Sequence, residues 1–500
     1  MHLFKYPRRR FRRRRVPSSA SLRNSASLPL SPTAIEIKKL INTEADGSAR
    51  KAFENEMNSF LKLLSRYLEQ KSRPPSLDWS TIKALAPDQV IPYEELTESA
   101  SIDSLKKLAI LKLNGGLGTT MGMQGGTKAA LEVHNGLTFL DMTMQQVLHV
   151  NSTHNVDVPL LFMTSFSTYD ETLRITRKYA NQPIKVTLFN QSRYPQVAEN
   201  TYLPCPKNTN EGKTWYPPGH GDLYTALDRS GVLDALLSQG KEYVFVSNSD
   251  NLGATVDEKI LQHMITCKSD FLIEVTNKTN KDDTGGSVVD YDGVVRLVEL
   301  EQVPPEHVQD FMSAKHFKSF NTNSMWISLK AIKRIIGKGE LELEIFEKRV
   351  SGENERAYIQ LETAAASAVK YFEKPKVINV SRSRFLPVKT CSDLLLIRSD
   401  VYQIQNGCLV LNDNRLFQSP TIKLSDQFRS VDQFQRRFKT VPSMVDLDLL
   451  TVTGDVHFGR NVTLRGIIIV AAEEGRRIDI PDGCILENRL VTGNLNMIEL

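Results

Sequence analysis

Long apolar runs, paired cysteines and a basic body are what this 500-residue sequence lacks. No apolar stretch approaches the ~18 residues that span a bilayer, and the longest, Ile467–Ala472, has the length of a buried strand, so no membrane partner is expected. The five cysteines, at 205, 267, 391, 408 and 484, form no CxxC pair and no Cys/His cluster. That excludes a disulfide framework and a zinc site, and it fits reduced thiols in a cytoplasmic protein. No GxxxxGK[ST] run is present, which excludes a Walker A loop. The net charge of +5 is unevenly placed: residues 1–35 hold nine Lys/Arg and no acidic residue, leaving the remainder slightly acidic. The body is therefore not a nucleic-acid binder, and any polyanion affinity belongs to the tail. That tail turns Ser/Pro-rich from Pro17 to Pro32 and cannot bury enough apolar surface to fold alone. A mitochondrial presequence, which is also Arg/Ser-rich and acid-free, stays open beside a plain disordered tail.

Length alone implies two or three domains. The pattern divides the chain into a tail (1–35), an N-terminal helical region (36–105), an α/β domain (106–400) and a C-terminal domain (401–500). Apolar residues at Phe53, Met57, Phe60, Leu61, Leu64 and Leu68 make the one-sided stripe of a helix, which Ser72 to Pro75 ends. A linker is expected through Pro87 and Pro92 to about Ser101. Leu108–Leu113, Pro159–Met163 and Tyr243–Ser247 then read as buried strands, alternating with helical stretches such as the one carrying Leu140, Met144, Val147 and Leu148. This alternation predicts a mostly parallel sheet with helices on both faces, and ligands beyond the carboxyl ends of its strands. Near the C-terminus, Val456/Val462, Phe458/Leu464 and Ile480/Leu486 are each six apart and are punctuated by glycines at 454, 459, 466 and 483. That period predicts a few turns of parallel β-helix whose open ends offer a contact surface between subunits.

The strongest local signal is Leu113-Asn-Gly-Gly-Leu-Gly-Thr-Thr-Met-Gly122, followed by Gly125-Gly126-Thr127-Lys128. Glycines after a strand let backbone N–H groups approach phosphate oxygens, and a lysine at the loop's end brings mobile positive charge. A flexible glycine-rich turn remains the plain reading of this loop alone. At the carboxyl end of the Tyr243 strand stands Asn248-Ser249-Asp250, where a hard carboxylate oxygen and a triphosphate could share a metal. A turn-forming aspartate is the plain alternative there.

The glycine-rich stretch resembles the signature loop of eukaryotic UTP–glucose-1-phosphate uridylyltransferases. Phe189–Pro195, Trp215–Asp222, Val246–Thr255, Asn321–Ile327, Arg384–Lys389 and Gly454–Gly459 resemble further blocks of that family, in family order. The resemblance runs from about residue 45 to the end. It implies an α/β fold with a mixed, mostly parallel, Rossmann-like nucleotidyltransferase (GT-A-like) sheet, N-terminal helices and a C-terminal left-handed parallel β-helix. It further implies that Leu113, Asn114, Gly115 and Gly116 hold the nucleotide, that Gln191 and Gly219 read uracil, and that His220, Asn248 and Asn323 contact the sugar phosphate. Asp250 is implied as the Mg²⁺ ligand, with Lys128 and Lys389 as the catalytic, triphosphate-binding lysines. UTP, glucose 1-phosphate, UDP-glucose and pyrophosphate are the implied small-molecule partners, and self-association through the β-helix is compatible with the resemblance.

Glucose 1-phosphate is already an anionic nucleophile at pH 7, so the expected chemistry needs no general base. The sequence has no convincing Ser/His/Asp or Cys/His constellation, as such a mechanism expects. What it needs is cationic and backbone-donor support while two polyanions meet. The chain departs from the family mildly at Ser249, where a bulkier apolar residue is common, and chiefly after the glycine loop. The usual Gly-x-x-Gly-Pro-Lys-Ser is here Gly122-Met-Gln-Gly-Gly-Thr-Lys-Ala129, with one extra residue, no proline and an alanine after the lysine. An inserted residue can move the lysine by up to ~3.5 Å. That keeps a catalytically impaired, nucleotide-sugar-binding paralogue open as an alternative reading. A uridylyltransferase for another sugar 1-phosphate is the second.

Overall fold

A computed structural model of the chain describes residues 30–44, 47–72, 77–96, 101–123, 126–208, 214–279, 282, 285–351 and 357–493. The arginine block, with the Ser/Pro stretch up to residue 29, and Gly125 of the glycine loop lie outside the described residues.

Two helices come first, α1 (Leu30–Ile41) and α2 (Gly47–Ser72). Helix α1 begins six residues ahead of the boundary drawn at 35/36, and Ile37, Leu40 and Ile41 enter a core. The stripe on α2 buries Phe53, Met57, Phe60, Leu64 and Tyr67, while Leu61 and Leu68 stay half-buried at its edge. These side chains pack on Tyr194, Trp215, Tyr216, Ile359 and Leu361. Glu56 on the same helix accepts from the Arg193 N–H at 3.3 Å and pairs with Arg229 at 3.6 Å. The helix thus buttresses the segment that begins with Gln191.

The central sheet has eight strands: β1 (Val90–Pro92), β2 (Leu108–Asn114), β3 (Leu160–Thr164), β4 (Val186–Asn190), β5 (Tyr243–Asn248), β6 (Phe271–Asn277), β7 (Ser319–Ser328) and β8 (Lys376–Asn379). Their order is β1-β8-β6-β7-β5-β2-β3-β4, parallel throughout except for β7, which runs antiparallel to both neighbours. All seven residues of β2 are buried because both faces are covered. Leu108 and Ile110 enter one hydrophobic cluster, and Ala109, Leu111 and Leu113 the other. Helix α3 (Phe139–His154) covers the first face, started by a capping box in which Thr138 and Asp141 satisfy each other's backbone N–H.

Two segments differ from the sequence reading. The stretch taken as a linker supplies β1, which adds to the sheet edge beside β8, with Pro92 at the end of the strand where its missing N–H costs nothing. No strand was read at 319–328, yet β7 is the longest in the sheet and its reversed direction makes the sheet mixed. Three- to four-residue edge strands and a polar Asn-Thr-Asn-Ser run carry too little apolar pattern for periodicity to find them.

The C-terminal part is built from parallel pairs. Strands β9 (Thr421–Leu424), β10 (Leu447–Thr453), β12 (Thr463–Ala471) and β14 (Ile485–Thr492) form one all-parallel sheet; β11 (Asp455–Phe458) and β13 (Arg477–Ile480) form a second. Like stacks on like: Leu450 on Ile468, Val456 on Ile478, Phe458 on Ile480, Leu464 on Leu486. These buried residues belong to the same cluster as Phe245 of β5, so the core runs from the central sheet into the C-terminal strands without a break.

Candidate active site

Parallel strands β2 and β5 are paired in register so that Leu113 faces Asn248, and both chains then leave the sheet at the same edge. The glycine loop follows β2, and Ser249-Asp250 follows β5. Asn114 joins them: its Oδ1 accepts from Thr127 Oγ1 at 2.8 Å and Ser249 Oγ at 3.2 Å, and its Nδ2 donates to Thr172 at 2.9 Å. Its carbonyl accepts from Thr168 Oγ1, and the carbonyl of Gly115 accepts from Ser165 Oγ. Asn114 is therefore a fastener inside the loop, with its side chain fully engaged.

The altered stretch before Lys128 closes by local bonds. Gly126 has φ +78°, and a Cβ there would stand 2.6 Å from Glu171 Oε2. Thr127, in the place of the usual proline, donates its N–H to the same Glu171 oxygen at 2.6 Å, a bond that proline could not make. Its hydroxyl also caps the short turn Lys128–Ala130. Held this way, Lys128 Nζ reaches Asp250 Oδ2 at 2.5 Å, in a pair whose side chains are 13% and 22% exposed.

Gln191 and Gly219 come together through their neighbours. The Ser192 N–H donates to Asp222 at 2.6 Å, tying the end of β4 to the Gly219–Asp222 turn. A Cβ on Gly115 would fall 1.7 Å from Gln191 Nε2, so a side chain there has to push the Gln191 amide aside. Gly219 adopts φ +82° with its Cα against the Thr363 carbonyl. His220, in the same turn, accepts from the Ala365 N–H through Nδ1 at 3.0 Å, which leaves Nε2 as the donor. Loss of hydration pushes its pKa down to about 4, so the ring is neutral at pH 7. Asn323, at φ +57° on β7, donates Nδ2 to Asn248 Oδ1 at 2.8 Å. Two buried amide oxygens here, Gln191 Oε1 and Asn323 Oδ1, have no hydrogen-bond partner in the protein. Buried polar atoms left in this state are costly and mark places where a ligand supplies the partner. Gly116 lies open beside them, with nothing near its Cα to exclude a ligand.

Lys389 sits after Val388 at the foot of helix α4 (Cys391–Arg398), where Thr390 and Asp393 form a capping box and Asp393 also accepts the Lys389 N–H at 2.9 Å. Its positive charge acts on Glu299. Burial, then the nearby Glu301, pushes the Glu299 carboxyl up to about 7, while Lys389 pulls it the other way.

Sequence reasoning passed over Glu299, Lys112, Asn251, Thr127 and the Arg384–Glu274 pair. Lys112 is buried on β2, where its ammonium donates to Ser247 Oγ and the Ala254 carbonyl, both at 2.8 Å, and burial lowers its pKa to about 7. Arg384 grips the fully buried Glu274 with two bonds of 2.8 Å. A lysine inside an all-apolar strand was a legible signal for the first. Asn251 and the Arg384–Glu274 pair depend on partners more than a hundred residues away, and Thr127 on Glu171, 44 residues on.

Among the described residues no group of three His, Cys, Asp or Glu side chains could hold a metal by itself. Asp250 offers one hard oxygen ligand beside a phosphate-binding type of loop. That suits Mg²⁺, which commonly takes one or two carboxylates and completes its shell from waters and substrate phosphates.

A model of the family described as UTP–glucose-1-phosphate uridylyltransferase matches residues 57–465. The chain is 47% identical over 483 residues to the probable UTP–glucose-1-phosphate uridylyltransferase of Schizosaccharomyces pombe, with 95% of each chain covered. It is 48% identical over 449 residues to the enzyme of that name from Hordeum vulgare, covering 88% of this chain and 94% of that one. Among solved structures, the UDP-glucose pyrophosphorylase of Leishmania major, known in open and closed forms, aligns with TM-score 0.81 and 32% identity over 93% of this chain and 100% of its own.

Proposed function

This chain belongs to the UTP–glucose-1-phosphate uridylyltransferase family, and from that premise we propose how its residues carry the reaction. The enzyme is a nucleotidyltransferase that joins UTP and glucose 1-phosphate to give UDP-glucose and pyrophosphate. The observation that carries the residue-level reading is the meeting of the glycine loop, Lys128 and Asp250 where β2 and β5 end, with the unpartnered amide oxygens of Gln191, whose side chain lies against Gly115, and of Asn323, which bonds to Asn248.

In this reading, Leu113, Gly115 and Gly116 line the nucleotide, and Asn114 shapes the loop. Gln191 presents its amide to the imide edge of uracil, beside Gly219. On the other side, neutral His220 donates from Nε2 toward the sugar phosphate, and Asn248 with Asn323 orients it. The sugar-phosphate oxygen attacks the α-phosphorus in line and pyrophosphate leaves, without a covalent enzyme intermediate. Lys389 neutralises charge at the α-phosphate, and Lys128, released from Asp250, follows the leaving phosphates. Asp250 is the residue that would hold Mg²⁺, which when bound lends positive charge to the triphosphate.

The cytoplasm is the proposed setting; among the described residues no helix is long and apolar enough to cross a membrane. We read the stacked C-terminal coils as a left-handed parallel β-helix. Its last strand, β14, with Ile485 and Leu490 exposed, is a surface for self-association. Light scattering on Leu490→Glu checks that last point, and a mass unchanged from wild type overturns it.

The deciding experiment measures pyrophosphate release from UTP, glucose 1-phosphate and Mg²⁺, with Lys389→Ala in parallel. Robust turnover by the wild type, lost in the variant while UDP-glucose still binds, is the expected result. Equal turnover by both removes Lys389 from the mechanism. No wild-type turnover despite UDP-glucose binding favours the impaired paralogue.

A further inference from the structure

Asp250 and Lys389 are 139 positions apart. The segments beside them meet where Asn251 bridges Pro387, and the Asn251 side chain adds to that junction. Asn251, 1% exposed, donates Nδ2 to the Arg384 carbonyl at 3.2 Å and accepts at Oδ1 from the Leu386 N–H at 2.8 Å. Bonding to the carbonyl of one residue and the N–H two further on is what a neighbouring strand residue does in a parallel ladder. The Asn251 side chain thus stands in for a strand opposite Phe385. Asn251 also bridges Pro387 in antiparallel fashion through the flanking backbone, so its side chain adds two bonds to a junction the backbones already make.

The junction is also close. A Cβ on Gly253 would lie 2.4 Å from the Ser383 carbonyl oxygen, so the two loops meet backbone to backbone. Asn251 immediately follows Asp250, and Leu386 precedes Lys389 by three residues. The same loop is closed from within by the Asn251 N–H to the Asn248 carbonyl at 3.2 Å. One buried amide therefore has Asp250 on one side and the Lys389 segment on the other.

We propose that Asn251 is a positioning residue that sets the distance between the Asp250 carboxylate and the Lys389 ammonium; this rests on the roles assigned to those two groups above. Asn251 touches no reacting atom. It acts by aligning the two charges that serve opposite ends of the triphosphate, where a misplacement of ~1 Å is worth about 100-fold in rate.

The test uses Asn251→Asp, which keeps the acceptor for Leu386 and sets a carboxylate oxygen against the Arg384 carbonyl, together with Asn251→Ala. Both are measured for kcat, for KM of UTP and glucose 1-phosphate, for UDP-glucose binding and for Tm, alone and in the Lys389→Ala background. The expected result is a kcat lower by about 100-fold in Asn251→Asp, with each KM and the UDP-glucose affinity within about threefold of wild type. In Lys389→Ala the same substitution adds less than about threefold, since the group it aligned is gone. A lowered Tm with kcat unchanged, or a full 100-fold loss on top of Lys389→Ala, overturns the proposal. Should Lys389→Ala and Asp250→Ala alone keep wild-type kcat, the assigned roles fail, and that outcome is distinct from a failure of the Asn251 alignment. If Asn251→Asp does not fold, Asn251→Ala gives the same readouts without a buried charge.

Discussion

Around Gln191 and Gly219, the chain is held by the absence of side chains. Gly115 leaves 1.7 Å where a Cβ would meet Gln191, and Gly219 lies against the Thr363 carbonyl at φ +82°. Around Asp250 and Lys389 the chain is held by bonds: Lys128 to Asp250, Asn251 to two backbone groups, Arg384 to Glu274. The first arrangement leaves no room at Gly219, where the Thr363 backbone stands, and is tied from outside by Asp222 and by the Arg229–Glu56 pair. The second tolerates shape changes poorly too, but its energy lies in buried charge and amide pairing, so it fails when a partner is removed.

Variants that break the bonded half should have the largest effects. Arg384→Met leaves the Glu274 carboxylate buried without its cation, which should cost about 3–5 kcal/mol of stability, read from the midpoint of urea unfolding. A midpoint unchanged from wild type would show that this network is expendable. Next comes Asp250→Asn, which keeps the shape and removes the charge that Lys128 and a metal share; kcat should fall about 10²–10³-fold while Tm stays near wild type. On the steric half, Gly115→Ala forces Gln191 aside and should weaken UTP binding by about 1–3 kcal/mol, with kcat at saturation affected less. Isothermal titration would settle it, and an unchanged affinity would mean that Gln191 swings free of Gly115.

The smallest effect concerns His220 and pH. Its folded pKa of about 4 lies below the ordinary ~6.5, so between those values the unfolded chain binds a proton that the folded one refuses. Stability should therefore fall as pH drops from about 6.5 toward 4, and His220→Gln should flatten that part of the Tm-against-pH curve. A slope identical in both proteins would place the titration elsewhere.

Much of this comparison could be read before any coordinates. The apolar runs at Leu108, Leu160 and Tyr243 found three central strands, because a strand buried on both faces must be apolar throughout. The glycine loop was legible for the same local reason: a strand that ends in Asn-Gly-Gly leaves its backbone exposed at the sheet edge. Asn251, Arg384 and Glu299 were not legible, because each draws its meaning from a segment far along the chain. The short strand Val90–Pro92 was hidden for another reason, as its hydrogen bonds go to a neighbour that periodicity cannot see.

By itself the sequence determined which segments must be buried, where the backbone must run without side chains, and that the chain carries several family blocks in order. These are local properties: apolar period, φ freedom and residue identity. Only the tertiary structure decided that Lys128 reaches Asp250 despite an inserted residue, that Asn248 meets Asn323, and that a single amide sets Asp250 against the Lys389 segment. Those are distances between parts of the chain more than sixty residues apart, and they exist only once the sheet brings its strand ends to one edge.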